Sequence, residues 1–327
     1  MNKASSADRP NPSIAEDVGD ASPDLKCSEW ARENEVDPIG TAGIYEGYLL
    51  IEWPLPWPRD FAETDALQPI LRLLDGSGVR LQGLVPKRKV GERRIICFRK
   101  PADPFVGFVR VEQRYNPADP ASFVPTVEAV LDASITTDDA TSRHVPSKEV
   151  LICSHGKRDR CCGSLGTTLA LQFGKDIWHN DGAIDIWRTS HTGGHRFAPT
   201  AIVLPEGTVW GFLSSDILNR LVARSGPVDD LLHHYRGCAG LGSPRIQALE
   251  RAVLGRVGWN LLDQPRQGFD FDGDRVRLAI YEVDGSTVTW EANVSGGRIL
   301  PSWSCGTRPE QAAKVDQEWV VTNLSRV

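Results

Sequence analysis

The sequence predicts an α/β protein assembled from small layered units, and three observations lead there. Short apolar runs of strand length, such as Tyr48–Ile51, Val150–Ile152 and Ala201–Leu204, alternate with segments of helical period, Leu67–Leu74 and Thr167–Phe173. Gly, Pro and Asp clusters punctuate the joins. A chain of 327 residues with 40% hydrophobic and 24% charged side chains can bury more than one core.

Residues 1–43 are rich in Ala, Ser, Asp, Pro and Glu and lack hydrophobic periodicity, so they read as a disordered or loosely attached arm. Residues 44–145 read as an N-terminal α/β domain. Strand Tyr48–Ile51 runs into Trp53-Pro54-Leu55-Pro56-Trp57-Pro58, which cannot continue a central strand. Helix Leu67–Leu74 stops at Asp75-Gly76, and strands Val79–Val85, Arg94–Phe98 and Phe105–Val111 follow. Residues 146–226 give the clearest pattern. Strand Val150–Ile152 ends at Cys153, helix Thr167–Phe173 ends at Gly174, and Ile184–Trp187 alternates as a strand. Ala201–Leu204 and Val209–Leu213 form a hairpin about Pro205-Glu206-Gly207, and Ser214 caps a helix through Leu218, Leu221 and Val222. The order β-α-β-β-β-α fits a thioredoxin-like unit, and 44–145 is compatible with a second copy of that plan. Residues 227–327 read as an α+β region. Ser243-Pro244 opens a helix with Ile246, Leu249, Val253, Val257 and Leu261 on one face. Strands Val276–Val283, Thr287–Val294 and Trp319–Val321 complete it.

No apolar run approaches the roughly 18 residues of a membrane helix. The first residues carry no apolar signal region, so the expected location is cytoplasmic. A net charge of −6, from 37 basic and 43 acidic side chains, argues against electrostatic nucleic-acid binding. Seven cysteines stand at 27, 97, 153, 161, 162, 238 and 305. An odd number, crowded at 153–162, suits thiolate metal or redox chemistry better than a disulfide framework.

Two segments carry that chemistry. The first is Cys153-Ser154-His155-Gly156-Lys157-Arg158-Asp159-Arg160-Cys161-Cys162-Gly163; the second is Ser190-His191-Thr192-Gly193-Gly194-His195-Arg196. Each follows an expected strand, so one end of one sheet can hold both. Two Cys and two His supply a complete ligand set for a soft or borderline metal centre. Zinc fingers usually space their cysteines two to four residues apart. Cys153 and Cys162 are separated by eight residues, which suits a wider centre such as a two-iron cluster. Two ferric ions, two sulfides and two thiolates are neutral overall, whereas four thiolates would leave two negative charges. The mixed set therefore accepts an electron more readily.

These motifs, with Ala201-Ile-Val-Leu-Pro-Glu-Gly-Thr-Val-Trp-Gly-Phe-Leu213 after the second, resemble the sucrase/ferredoxin-like family, which is similar to thioredoxin-like 2Fe–2S ferredoxins. In those ferredoxins C-x-x-x-C stands where His191 and His195 stand here as H-x-x-x-H. The resemblance implies Cys153, Cys162, His191 and His195 as ligands of a Rieske-like 2Fe–2S cluster, with Cys161 as the alternative to Cys162. It implies an electron carrier rather than a substrate-converting enzyme, with a redox partner protein as reductase or acceptor. Nothing at these positions forms a glycosidase carboxylate pair. Solvent-facing imidazole ligands would couple reduction to proton uptake. His155, Lys157 and Arg196 are candidates to hydrogen-bond near the centre or to form a basic rim.

Two other functions remain open on the residues alone. One is a zinc-stabilised binding module without a redox role. The other is a thiol oxidoreductase using Cys161 or Cys162, which would lack the usual C-x-x-C. Gly193 and Gly194 would let backbone amides approach cluster sulfides. The basic cluster Lys87, Arg88, Lys89, Arg93 and Arg94 reads as the solvated end of a hairpin. His233-His234 near Cys238 reads as a helix end more readily than as another metal site.

Overall fold

The computed structural model describes residues 26–88, 90–133, 148–176 and 183–327. Residues 1–25 of the expected arm and Lys89 of the basic cluster lie outside the described residues. The rest of that arm corrects the expectation. Residues Cys27–Glu33 form helix α1, with Cys27, Trp30 and Ala31 all buried. Its aromatic and thiol side chains are the reason: they pack onto segments far away in the chain.

The first half of the main sheet is built from β1 (Gly47–Glu52), α2 (Gln68–Leu74), β2 (Val79–Leu84), β3 (Arg93–Arg99), β4 (Val109–Tyr115) and α3 (Phe123–Asp132). The second half comprises β5 (Lys148–Cys153), α4 (Thr167–Asp176), β6 (Ile184–Thr189), β7 (Ala201–Leu204), β8 (Thr208–Trp210) and α5 (Ser215–Ala223). β1 runs parallel to β2 and antiparallel to β3, and β3 is antiparallel to β4. β5 repeats this pattern with β6, β7 and β8. Both halves therefore share one strand order and one α/β plan.

The halves meet where β2 pairs antiparallel with β6 at Leu84 and Thr189. With β9 (Tyr235–Cys238) beside β8, they form one nine-stranded sheet of order β4-β3-β1-β2-β6-β5-β7-β8-β9. The central strands β1 and β5 read as unbroken apolar runs because both of their faces are covered.

The expected strand Phe105–Val111 is displaced, since β4 begins only at Val109. Pro104 lacks an amide donor, and Phe105 and Phe108 turn inward as buried side chains. Phe105 instead exchanges two backbone hydrogen bonds with Arg266, each 2.9 Å. The expected strand Val209–Leu213 is shortened to β8, and Phe212 beyond it adopts a positive φ of 54°.

Helix α6 (Pro244–Val257) starts with the Ser243 hydroxyl accepting from Ile246 N at 3.1 Å. It packs between β9 and a four-stranded antiparallel sheet of β10 (Arg266–Asp270), β11 (Arg275–Tyr281), β12 (Thr287–Ser302) and β13 (Lys314–Arg326). Ile246, Leu249 and Val253 share one apolar cluster with Val276, Leu278 and Val294 of that sheet and with Val150 and Ile152 of β5. The C-terminal region is thus fused to the main core.

The basic cluster is only partly solvated. Lys87 and Arg94 both lie over the Trp187 ring, 4.3 and 4.2 Å from its centroid. Both also bond Asp185, at 2.6 and 2.8 Å, across the seam between the halves. Burial raises the Asp185 carboxyl, but Lys87 and Arg94 outweigh it and hold the group below its usual 3.8. A depressed carboxyl contributes stability above its unfolded pKa that is lost as pH falls through the folded value. Asp185→Asn is expected to flatten the acid limb of a stability profile from the ordinary carboxylate range downwards. Urea midpoints across that range check this; limbs that stay parallel would count against it.

Candidate metal centre

Strand register brings the two motifs together. In the parallel pair β5 and β6, Cys153 lies opposite Thr189, so both loops leave the same end of the sheet. The first loop folds back on itself through glycines. A Cβ on Gly166 would lie 1.8 Å from the Cys153 carbonyl oxygen, and one on Gly163 would lie 2.4 Å from Gly156 Cα. Only hydrogen fits at Gly166, because the obstacle is backbone. Gly166→Ala is expected to displace the Cys162–Gly166 π-helical turn and to lower stability. A thermal melt checks this; an unchanged melt would contradict the close approach.

Cys153 and Cys162 are fully buried, and their sulfurs and a ring nitrogen of His191 lie within 4.8 Å of one another. Cys153 Sγ is 3.8 Å from His191 Nδ1. Burial opposes ionisation of Cys153, yet the Cys162 thiol and His191 beside it hold it well below the usual thiol range. Cys162, which shares that hydrogen bond, is pushed up.

His195 is placed differently. Its ring centroid is 5.8 Å from that of His191, but its Nδ1 is 3.3 Å from Cys27 Sγ and 3.4 Å from Asp159 Oδ2. Cys161, the expected alternative to Cys162, falls instead into another group with Cys27, Cys305 and Asp159. The adjacent cysteines thus serve two neighbouring thiol clusters. Hydrogen bonds from the Cys27 and Cys305 thiols pull Cys161 down to about 3, while Cys27 is raised.

The second loop is held by polar side chains, of which Gln82 and Arg236 are buried and Arg80 half-buried. Arg80 and Gln82 of β2 donate to the carbonyls of His191 and Ser190 at 2.6 and 3.2 Å. Arg236 of β9 donates to the Gly193 carbonyl at 3.0 Å and to the Thr41 carbonyl at 2.6 Å. Full burial lowers this guanidinium to about 9. A Cβ on Gly194, whose φ is +67°, would meet Arg236 at 2.4 Å. That glycine makes room for an arginine, whereas the sequence suggested room for a cofactor.

Of the suggested neighbours, His155 is buried on its own loop. Its Nδ1 accepts from Arg158 N at 3.2 Å and its ring lies 5.5 Å from Trp57. Arg196 is only 8% exposed and pairs with the half-buried Asp316 at 2.6 Å, so it is a neutralised ion pair rather than a basic rim. Lys157 is exposed. His234 lies against the Gly211 carbonyl at 3.0 Å, and Cys238 is directed at the Glu206 carbonyl, 3.5 Å away. No metal-ligand group forms there among the described residues.

Above the thiols, α1 and the β12–β13 hairpin close an apolar cover of Trp30, Val36, Phe197, Leu300 and Trp303. Trp30 and Trp303 meet edge to face at 6.1 Å. Sequence reasoning missed Cys27, Asp159 and Cys305. Asp159 stood inside the first motif, but the two cysteines lie 134 and 144 residues from Cys161, beyond any local spacing rule. The available signal was the count: four of the seven free cysteines lie outside the motifs, though the count does not say which two return to Cys161.

A family model described as sucrase/ferredoxin-like matches residues 38–237, which span both halves of the main sheet and both motifs. The chain belongs to the sucrase/ferredoxin-like family. In this sucrase/ferredoxin-like chain the matched segment contains Cys153, Cys161, Cys162, His191 and His195 and leaves out Cys27 and Cys305. The chain is 36% identical over 57 residues to altered inheritance of mitochondria protein 32 of Debaryomyces hansenii. That likeness covers 17% of this chain and about a fifth, 21%, of the relative. No solved structure matches the sucrase/ferredoxin-like chain. No helix among its described residues is long and apolar enough to cross a membrane.

Proposed function

We propose that this protein is an intracellular electron carrier that holds a 2Fe–2S cluster on Cys153, Cys162, His191 and His195. The observation that carries the reading is the convergence of two fully buried thiols and an imidazole at one end of a parallel strand pair. This donor set fits the cluster chemically: soft thiolates, a borderline imidazole, and a second imidazole on the same loop. When bound, such a cluster supplies one-electron transfer at a potential raised by the neutral ligands. Cys153 and Cys162 anchor it, and His191 is fixed through its backbone by Arg80. His195 would complete the set by turning from Cys27 and Asp159, on a loop that Gly193 and Gly194 bend through positive φ. The tryptophan cover keeps water from the thiols. Free cysteines throughout suit a reducing compartment. In each half the strand order supports a thioredoxin-type unit, with the centre on the second.

A cavity of about 180 Å³ opens beside His191 and is lined by Arg59, Arg80 and Arg158. This basic mouth suits an acidic redox partner. Anaerobic purification is expected to yield red-brown protein with about two irons per chain and, after dithionite, an EPR signal of low average g. The midpoint potential is expected to fall as pH rises, because His191 lines a solvent-open cavity. Colourless protein that also fails anaerobic reconstitution would overturn the reading in favour of a redox-silent binding module.

A further inference from the structure

We propose that Cys27, Cys161 and Cys305, together with Asp159, form a separate zinc site that fastens α1 and the β12–β13 hairpin to the first motif loop. The sulfur separations are 3.7 Å for Cys27–Cys161, 3.5 Å for Cys27–Cys305 and 3.1 Å for Cys161–Cys305. A tetrahedral ion with Zn–S bonds of about 2.3 Å places its sulfurs roughly 3.8 Å apart, so the trio approximates one face of that polyhedron. A disulfide would use two of the thiols and strand the third. Even the shortest separation is far beyond the roughly 2.05 Å of a sulfur–sulfur bond.

Asp159 completes the donor set, with all four ligand atoms within 4.8 Å of one another. Its carboxylate is fully buried and already aimed: Cys161 N donates to Oδ1 at 2.8 Å and Cys305 N to Oδ2 at 3.1 Å. The Ser28 hydroxyl donates to Cys161 Sγ at 3.2 Å, as expected for a site that stabilises thiolate. Three thiolates and a carboxylate exceed the charge of one zinc ion. Arg32 and Arg196 lie within electrostatic reach of Cys161 and Cys27 to offset the surplus.

The ligands come from three parts of the chain, so occupancy would add its binding free energy to the closure of the cover. The ions are distinguishable because the two clusters share no cysteine.

Metal analysis of the full chain, purified without chelator, is expected to give about one zinc in addition to any iron. Cys27→Ser and Cys305→Ser should each lose the zinc and keep the iron, while Cys153→Ser should do the reverse. Should those variants fail to fold, a cobalt(II) titration of metal-free wild-type protein decides: tetrahedral cobalt–thiolate absorption is expected to saturate at about two cobalt per chain, one for each thiol group. Wild-type protein with neither zinc nor that absorption would overturn the proposal. So would a Cys161–Cys305 disulfide in anaerobically purified protein, or loss of iron on substituting Cys27 or Cys305. Zinc without iron would defeat the electron-carrier reading and leave this site standing.

Discussion

On the proposed cluster, Cys153→Ser should strip the protein of iron and visible colour, because one of its two thiolate anchors is lost. A serine hydroxyl remains protonated where a thiolate is needed, and the position has no substitute nearby. Cys153 is the last residue of β5, and its amide donates to the Thr200 carbonyl at 3.1 Å. The backbone thus fixes the sulfur in place while the Cys162 sulfur and His191 face it. Cys161→Ser serves as the control, since Cys161 belongs to the other thiol group, and it should leave the colour unchanged. Iron content and absorption of the two variants, purified in parallel, check this. Loss of colour with Cys161→Ser instead would move the iron ligand to the neighbouring cysteine. If His191 and His195 are ligands, replacing either by Cys should keep the cluster and lower its potential, because a thiolate adds negative charge.

The second large effect concerns stability. Arg266 and Glu250 are both fully buried. Arg266 Nε donates to Glu250 Oε1 at 2.7 Å, while the Tyr235 hydroxyl donates to Oε2 at 2.7 Å. A buried ion pair adds little over an apolar pair of similar shape, but removing one partner abandons a charge in the interior. Arg266→Met is therefore expected to destabilise the fold by about 3–5 kcal/mol. Adding Glu250→Leu should recover part of that loss, leaving the Tyr235 hydroxyl unpaired at a cost of about 1–3 kcal/mol. Chemical denaturation of both variants measures the difference. A single variant within about 1 kcal/mol of wild type would mean that water reaches the pair. Arg266 also ties the two sheets together through its backbone bonds to Phe105, so the damage should spread beyond β10.

Much of this architecture was legible where local chemistry decides. β5 and β7 announced themselves as apolar runs and β6 by its alternation, and Ser214 and Ser243 marked the helix starts at which their hydroxyls accept. The expectation that both motifs leave one end of one sheet holds in the Cys153–Thr189 register. The misses are non-local. Phe105 looked like strand because it is apolar, yet its partner is Arg266, more than a hundred residues later. Arg196 read as a candidate for a basic rim, but Asp316, 120 residues later, pairs with it at 2.6 Å. Nothing near Trp30 in sequence announced Trp303, so α1 read as part of a loose arm.

The cover joins segments made at very different times. Cys27 meets Cys161 across 134 residues and Cys305 across 278. A ribosome delivers the first motif loop, and then the second, well before it delivers Trp303. Domains generally fold as their residues emerge, so both halves of the large sheet can form while the thiols still lie open to solvent. During synthesis there is accordingly an interval in which a metal donor can reach Cys153, Cys161 and Cys162. That interval ends when the last hairpin closes over them. On the metal readings proposed above, loading would then follow translation order, with the late-made hairpin acting as the stopper on a vessel that has to be filled first.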